Sequence, residues 1–379
     1  MPQLPTGYRG FKQNPYQGIC LHSIHKNHTC QALLIMALPD ETKKKDILLQ
    51  EPDDQVLDLA LRPTTFNDFI GQENVKGNLA ILIGAAKKRQ EPLEHILIHG
   101  PSGLGKTTLA YLIARESGAG IRITSGAAME KAGDIGSILT GLSDGDFLFI
   151  DEVHRLNKTV EETLYPAMEN YCLDIIIGKG TSAKTLQVKL PRFTLIAATT
   201  RISLLSNPFR SRFGAHYKLD FYNQSEIEKI IQRSARLLKI KTGDGALAKI
   251  AASSRFTPRI ANRLLKRTRD YAQVKNSPLL TELLATEALS LLGIDELGLD
   301  ATDRKILDVI SKNFNGGPVG LKSIAAAIAE EEETIEDVYE PYLMQIGFLA
   351  RTSRGRMLTD LAVKHLGLPQ NKNGQESLI

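Results

Sequence analysis

The sequence predicts an α/β core with a parallel sheet, an all-α domain behind it, and a small C-terminal winged helix. Three stretches predict it. His95 to Ile98 reads as a short buried strand, and Gly100-Pro101-Ser102-Gly103-Leu104-Gly105-Lys106-Thr107 then fits G-x-x-x-x-G-K-[ST] at every fixed position. Phe147-Leu148-Phe149-Ile150 is an apolar run ending in the acids Asp151 and Glu152. Past Gly298, three helical periods precede two extended runs around Ser353-Arg354-Gly355, the pattern of a winged helix-turn-helix.

Strand, glycine loop and helix (expected over Leu109 to Arg115) together make a phosphate-binding loop. Glycines let successive N–H groups face phosphate oxygens. The helix N-terminus behind them adds about half a positive charge. Lys106 can reach the β- and γ-phosphates, and the Thr107 hydroxyl can ligate Mg²⁺. A buried parallel strand ending in Asp-Glu sets both acids at the carboxyl edge of the sheet, where ligands bind. Asp151 then suits Mg²⁺, and Glu152 suits orienting and deprotonating a water.

At 379 residues, two or three domains are expected. The 42% hydrophobic and 24% charged shares are those of an ordinary soluble protein. A net charge of +4 decides neither for nor against nucleic acid, since distribution matters more than the sum. Three cysteines, Cys20, Cys30 and Cys172, make no disulfide framework, which points to a reducing compartment. No apolar run approaches the ~20 residues of a membrane span.

In chain order, residues 1–52 read as a disordered leader. The spacing of Cys20, His22, His25, His28 and Cys30 matches no common zinc module, and Met36 would serve as a start. The core domain is expected over 53–222. Phe66, Phe69 and Ile70 are either core or part of the nucleotide site. Asn74 to Arg89 has helical period, with Val75, Leu79, Leu82 and Ile83 on one face. Ile121 to Thr124 reads as a strand, Met129 to Thr140 and Lys158 to Tyr171 as helices. Leu173 to Ile177 and Leu186 to Leu190 read as a hairpin. Its run Ile175-Ile176-Ile177, with Leu186, either docks a partner protein or packs on its own domain. Phe193 to Ala198 is a third buried strand, whose polar tip could sense a γ-phosphate. Arg210 and Arg212 follow a helix, on the surface or within reach of a neighbour's nucleotide. Leu219 to Tyr222 is expected to be the last strand. His154 reads as a packing or surface histidine.

The region 223–297 is helical by period, with Ser225 and Glu226 as its start. Thr257-Pro258-Arg259 opens a helix there. A cation at a helix N-terminus is unfavourable unless it meets an anion, so Arg259 points to a phosphate. The winged helix is expected over 298–367 and a tail over 368–379. Its third helix, Glu332 to Gln345, follows and contains acids: residues 330–340 hold seven. DNA phosphates would repel that helix. The wing, residues 348–359, carries Arg351, Arg354 and Arg356 and no acid. DNA is therefore expected at the wing, held without sequence readout.

These features resemble an AAA+ ATPase. The strings LRPTTFNDFIGQ, GPSGLGKTTLA, FLFIDEVHRL, YPAMENYCLDIIIG, LPRFTLIAATTR, FRSRFG and TPRIANRLLKRTRD narrow the resemblance to the RuvB family, over about Leu59 to Leu366. Members commonly read GPPGLGKT where this chain has Ser102, and they lack the long leader. The resemblance implies an AAA+ core, a helical lid and the winged helix. It implies a bacterial, cytoplasmic, helicase-type ATP hydrolase and DNA translocase acting in recombination and repair. The ligands implied are ATP and Mg²⁺. ATP contacts fall on Leu61, Arg62 and Tyr222, on Gly103, Gly105, Lys106, Thr107 and Thr108, and on Glu169, Asn170 and Tyr171. Thr200 matches the first sensor, Arg259 the second, and Arg212 a finger supplied to the next subunit of a hexamer. Lys106, Asp151, Glu152, Thr200 and Arg212 carry the implied catalysis. Partners implied are four-way junction DNA, a RuvA-like junction binder docked on the hairpin, and a RuvC-like resolvase. Other readings are an AAA+ initiator or clamp-loader switch and a regulatory winged-helix DNA binder. An intact Lys106, Asp151, Glu152 and Arg212 argue against the last.

Overall fold

A computed structural model describes residues 59–177 and 184–367, without the side chains of Ile175, Ile176, Ile177 and Lys184. The expectations for the leader, its Cys/His cluster and Met36, and for the tail, lie outside the described residues.

In chain order the core runs Glu73–Arg89 (α1), Ile96–His99 (β1), Lys106–Ser117 (α2), Ile121–Ser125 (β2), Ala132–Thr140 (α3), Phe147–Asp151 (β3), Lys158–Asn170 (α4), Cys172–Ile177 (β4), Lys184–Lys189 (β5), Thr194–Thr199 (β6), Asn207–Arg210 (α5) and Ala215–Lys218 (β7). Five strands form a parallel sheet in the order β2-β3-β6-β1-β7. Alternate side chains leave a strand on opposite faces. Ile96, Ile98, Phe147, Phe149, Ile196 and Ala198 accordingly share one core with α1 and α2. Leu97, Leu148, Ile150, Leu195 and Ala197 share the other with α3 and α4. Sheets covered on both faces need continuous apolar strands, which is why β3 and β6 are conspicuous runs.

β7 departs from expectation. The strand is Ala215–Lys218, not Leu219 to Tyr222. It lies at the sheet edge with alternate residues exposed, so it carries no apolar run. Leu219 N–H closes the ladder on His99 O at 2.8 Å. The chain then leaves the sheet and buries Tyr222 beneath the glycine loop, its hydroxyl donating to Leu104 O at 3.1 Å.

The helical domain holds Gln224–Leu237 (α6), Ala246–Ala252 (α7), Pro258–Val274 (α8) and Glu282–Leu291 (α9). α6 is capped by Asn223, not Ser225. The Asn223 side chain accepts from Glu226 N–H, and the Glu226 carboxylate accepts from Asn223 N–H, a reciprocal capping box. Ile227, Ile231, Leu264 and Leu265 join the α1–α2 core, fixing this domain against the open edge of the glycine loop.

The last domain has Ala301–Phe314 (α10), Leu321–Ile328 (α11), Glu332–Thr334 (α12), a π turn Ile335–Tyr339, Glu340–Gln345 (α13), Leu349–Thr352 (β8), Gly355–Leu358 (β9) and Asp360–His365 (α14). It has its own core around Leu307, Ile310, Ile324, Leu343 and Phe348. The expected third helix is thus three helical pieces with a π turn inside. Pro341 accounts for the break: it has no N–H for the carbonyl of Asp337, and its ring crowds that carbonyl. A buried cluster joins this domain to the helical one. Arg255 donates to Gly298 O at 2.9 Å and to Asp300 at 2.8 Å, and it pairs with Asp303. Burial pushes the Asp303 carboxyl up to about 7.

Candidate active site and nucleic-acid interface

The ends of β3, β6 and β1 lie side by side. Asp151 therefore closes one strand, Thr199 and Thr200 follow the next, and the glycine loop follows the third. Two backbone positions explain why the loop is glycine. Gly100 has φ +144°, and a Cβ there would sit 2.4 Å from Leu219 O. Gly103 has φ +79°, and a Cβ would sit 2.7 Å from the Thr257 methyl. Neither place admits a side chain.

These elements enclose a cavity of about 300 Å³. Leu61, Arg62, Gly103, Gly105, Lys106, Thr107, Thr108, Asp151, Glu152, Thr200, Tyr222 and Arg259 all line it. Lys106 is buried, and its Nζ donates to Gly100 O and Pro101 O, both at 2.8 Å. Burial pushes its ammonium down to about 8, with Asp151 opposing that shift. Thr107 Oγ1 donates to Asp151 Oδ2 at 3.0 Å. A hydroxyl and a carboxylate at this distance, completed by phosphate oxygens and water, form the hard-oxygen set that Mg²⁺ takes. The donor set fits the ion. Glu152 sits at φ +47°, and its carboxylate is 3.1 Å from Arg155 Nε. Arg259 opens α8 and donates to Ser102 Oγ at 3.2 Å. Ser102, the departure from GPPGLGKT, thus holds an arginine that a proline could not.

Sequence reasoning missed part of this lining. Arg233, on α6, donates to Leu61 O at 2.8 Å and to Arg62 O at 3.4 Å, so the helical domain fixes the strip over the cavity. Asn262, on α8, lines the cavity too. Single polar residues on amphipathic helices carry no signal in sequence. Phe69, left between core and site, serves both: it is buried and lines the cavity. His154 does more than pack, since its Nδ1 lies 2.9 Å from Thr199 Oγ1. Burial pushes its imidazole down.

Four expected site residues do not line this cavity. Glu169, Asn170, Tyr171 and Arg212 lie elsewhere on the domain. Arg212 Nη2 is 3.0 Å from Glu169 Oε1, Nη1 donates to Pro208 O at 2.6 Å, and the guanidinium stacks over Tyr165 at 4.1 Å. Its Nε is buried with no partner. The hairpin pairs Ile175 with Leu186, Ile176 with Thr185 and Ile177 with Lys184, as a sheet of its own. Leu186 is half exposed. The isoleucine side chains and the tip, 178–183, lie outside the described residues.

The wing arginines differ from one another. Arg351 and Arg356 are directly opposite across β8 and β9, which is repulsive for like charges. The acidic helix answers this. Arg351 is 2.9 Å from Glu336, and Arg356 is buried and 2.9 Å from Glu340. Arg354, at the turn, has an exposed side chain. The three were expected to meet DNA alike; Arg356 is instead enclosed by its carboxylate partner.

Comparison with known proteins agrees with this architecture. The family model "Holliday junction DNA helicase RuvB P-loop domain" matches residues 61–219, the RuvB AAA lid domain matches 222–295, and the RuvB C-terminal winged helix domain matches 296–367. The Holliday junction branch migration complex subunit RuvB of Dehalococcoides mccartyi (strain CBDB1) is 56% identical over 328 residues, 86% of this chain and 94% of that protein. The Thermotoga maritima RuvB Holliday junction branch migration motor matches in structure with a TM-score of 0.76 and 48% identity, over 82% of this chain and 100% of that one. A point-substituted form of the same protein gives 0.77 and 48%, over 82% and 99%.

Proposed function

The chain belongs to the RuvB family of P-loop ATPases, and from that premise we propose that it is an ATP-driven motor of Holliday-junction branch migration. It works as a homohexameric ring on duplex DNA, with a RuvA-like junction binder on the β4–β5 hairpin and a RuvC-like resolvase downstream. One observation carries this reading beyond kinship. The cavity is complete on one side of the core, while Arg212 and Glu169 are paired away from it. A second subunit's cavity is the natural place for a finger that cannot serve its own.

In this reading ATP enters the cavity with its adenine framed by Leu61, Arg62 and Tyr222. Its phosphates meet the loop N–H groups, Lys106 and Arg259. Thr107 and Asp151 would hold Mg²⁺, and the ion would supply charge neutralisation at the phosphates. Glu152 orients a water and takes its proton as the oxygen attacks the γ-phosphorus, and the β–γ bridging P–O bond breaks to leave ADP and phosphate. Arg212 of a neighbour stabilises charge on the transferring group. Each turnover thus acts on a subunit boundary, where lid and core can shift as bodies.

The test is dissociation of a synthetic four-way junction with the junction binder present, against a linear duplex. ATP-dependent dissociation that prefers the junction is the expected result. ATP turnover without dissociation would replace the motor by an ATP switch that loads on DNA.

A further inference from the structure

Arg201 directly follows Thr200, at the tip of β6. It is absent from the cavity lining and reaches the winged helix instead. Its Nε donates to Asp337 Oδ1 at 2.7 Å, and its other nitrogens lie 3.6 Å and 3.9 Å from the carboxylates of Glu333 and Glu336. The Arg201 side chain is only 16% exposed, so removing its carboxylate partner leaves a partly buried charge unpaired, which is costly.

The link continues on both sides. Toward the cavity, Arg201 N–H donates to Thr199 Oγ1 at 3.0 Å, and the same hydroxyl meets His154 Nδ1 at 2.9 Å. His154 lies on the turn that opens with Glu152. Toward the wing, the acidic helix presents Glu336 and Glu340 to Arg351 and Arg356. Glu336 and Asp337 on the π turn and Glu340 just after it meet partners on two different domains.

We propose that the Arg201–Asp337 pair is the strut by which the nucleotide site and the DNA-holding wing sense each other, with Arg201 and His154 as its positioning residues. A shift at the tip of β6 drags the acidic helix, and the acidic helix holds two wing arginines. Such coupling is reciprocal: DNA on the wing must bias the nucleotide site by the same factor in binding. The proposal rests on the branch-migration reading for what the wing holds.

The test uses the full chain and duplex DNA. In the native sequence, DNA affinity with a slowly hydrolysed ATP analogue should differ from that with ADP. Asp337→Asn should shrink this ratio about tenfold, within the usual range of couplings, and abolish stimulation of ATP turnover by DNA. Turnover without DNA should stay unchanged, because Asp337 does not itself line the cavity. Asp337→Glu, which keeps the charge, should retain the coupling. Arg201→Gln removes the pair from the other side and should lose the coupling too, which keeps the test open if Asp337→Asn misfolds. An unchanged affinity ratio and unchanged DNA stimulation in both variants would overturn the strut alone. Unaltered protein that hydrolyses ATP yet moves no junction would overturn the motor reading, and the DNA-affinity ratio would still decide the strut.

Discussion

Lys106 shows how one residue is tuned by where the chain puts it. Its ammonium is buried among loop carbonyls and titrates near 8 instead of 10.5. The unfolded chain therefore binds the extra proton more tightly between those values, and stability of the ligand-free protein rises as pH climbs from 8 toward 10.5. Phosphates favour the charged form, so ATP binding draws a proton onto Lys106 above pH 8. ATP affinity should be level below pH 8 and then fall, approaching tenfold per pH unit, in titrations with a fluorescent nucleotide. Lys106→Arg, whose guanidinium stays charged, should remove that fall; a level profile in the native sequence would assign the titration elsewhere. Lys106→Ala should abolish turnover while the protein still unfolds cooperatively, since the lysine holds phosphates and not the core. Arg212 is the second case. Arg212→Ala should lower kcat by on the order of 10³ with ATP still bound, as fingers in this chemistry do. A comparable loss of ATP affinity would instead make it a ground-state contact.

At the scale of elements, the wing and the acidic helix act as one unit, and the three wing arginines should respond to substitution in different ways. Arg354→Ala should weaken duplex binding evenly across sequences and lower the slope of log affinity against log salt by about 1, with no change in melting temperature. Arg356→Ala takes the hydrogen-bonded partner from buried Glu340, leaving Arg351 at 3.8 Å, and should destabilise the winged helix by about 3 kcal/mol. Arg356→Ala combined with Glu340→Met should recover much of that in thermal melts, because no lone buried charge remains. Equal effects from Arg354 and Arg356 would contradict this division. What the sequence made legible divides along the same physical lines. β1, β3 and β6 are buried on both faces and read as apolar runs. β7, exposed along one side, did not read as a strand. The count of charges on the acidic helix was plain, but not their partners: Arg201 and Asp337 are 136 positions apart, and only folding makes a pair of them. Repulsion from DNA explained why that helix should avoid phosphates, yet gave no hint that it grips the wing.

At the scale of the whole molecule, one chain carries a complete cavity and a finger that faces away from it. Arg212 is held by Glu169 and Tyr165, with a buried Nε left unpartnered. A buried donor without an acceptor is costly, by about 1–3 kcal/mol, and a neighbour's phosphate group supplies acceptors. In the proposed ring each site is assembled from two chains, and head-to-tail interfaces generate such a ring where the rotation between neighbours closes. Mixing two inactive variants separates this from a finger that serves its own chain. Rings of Glu152→Gln lack the water-orienting carboxylate at every site, and rings of Arg212→Ala lack every finger. In rings assembled at random from equal parts of both, roughly a quarter of interfaces join an intact cavity to an intact finger. Turnover should therefore recover to about that fraction of the native rate, if sites fire independently. Recovery well below it, with mixed rings verified by mass, would mean that sites must fire in concert round the ring. No recovery in mixed rings that still bind ATP would return Arg212 to its own subunit and remove the strongest structural argument for a motor built at subunit boundaries.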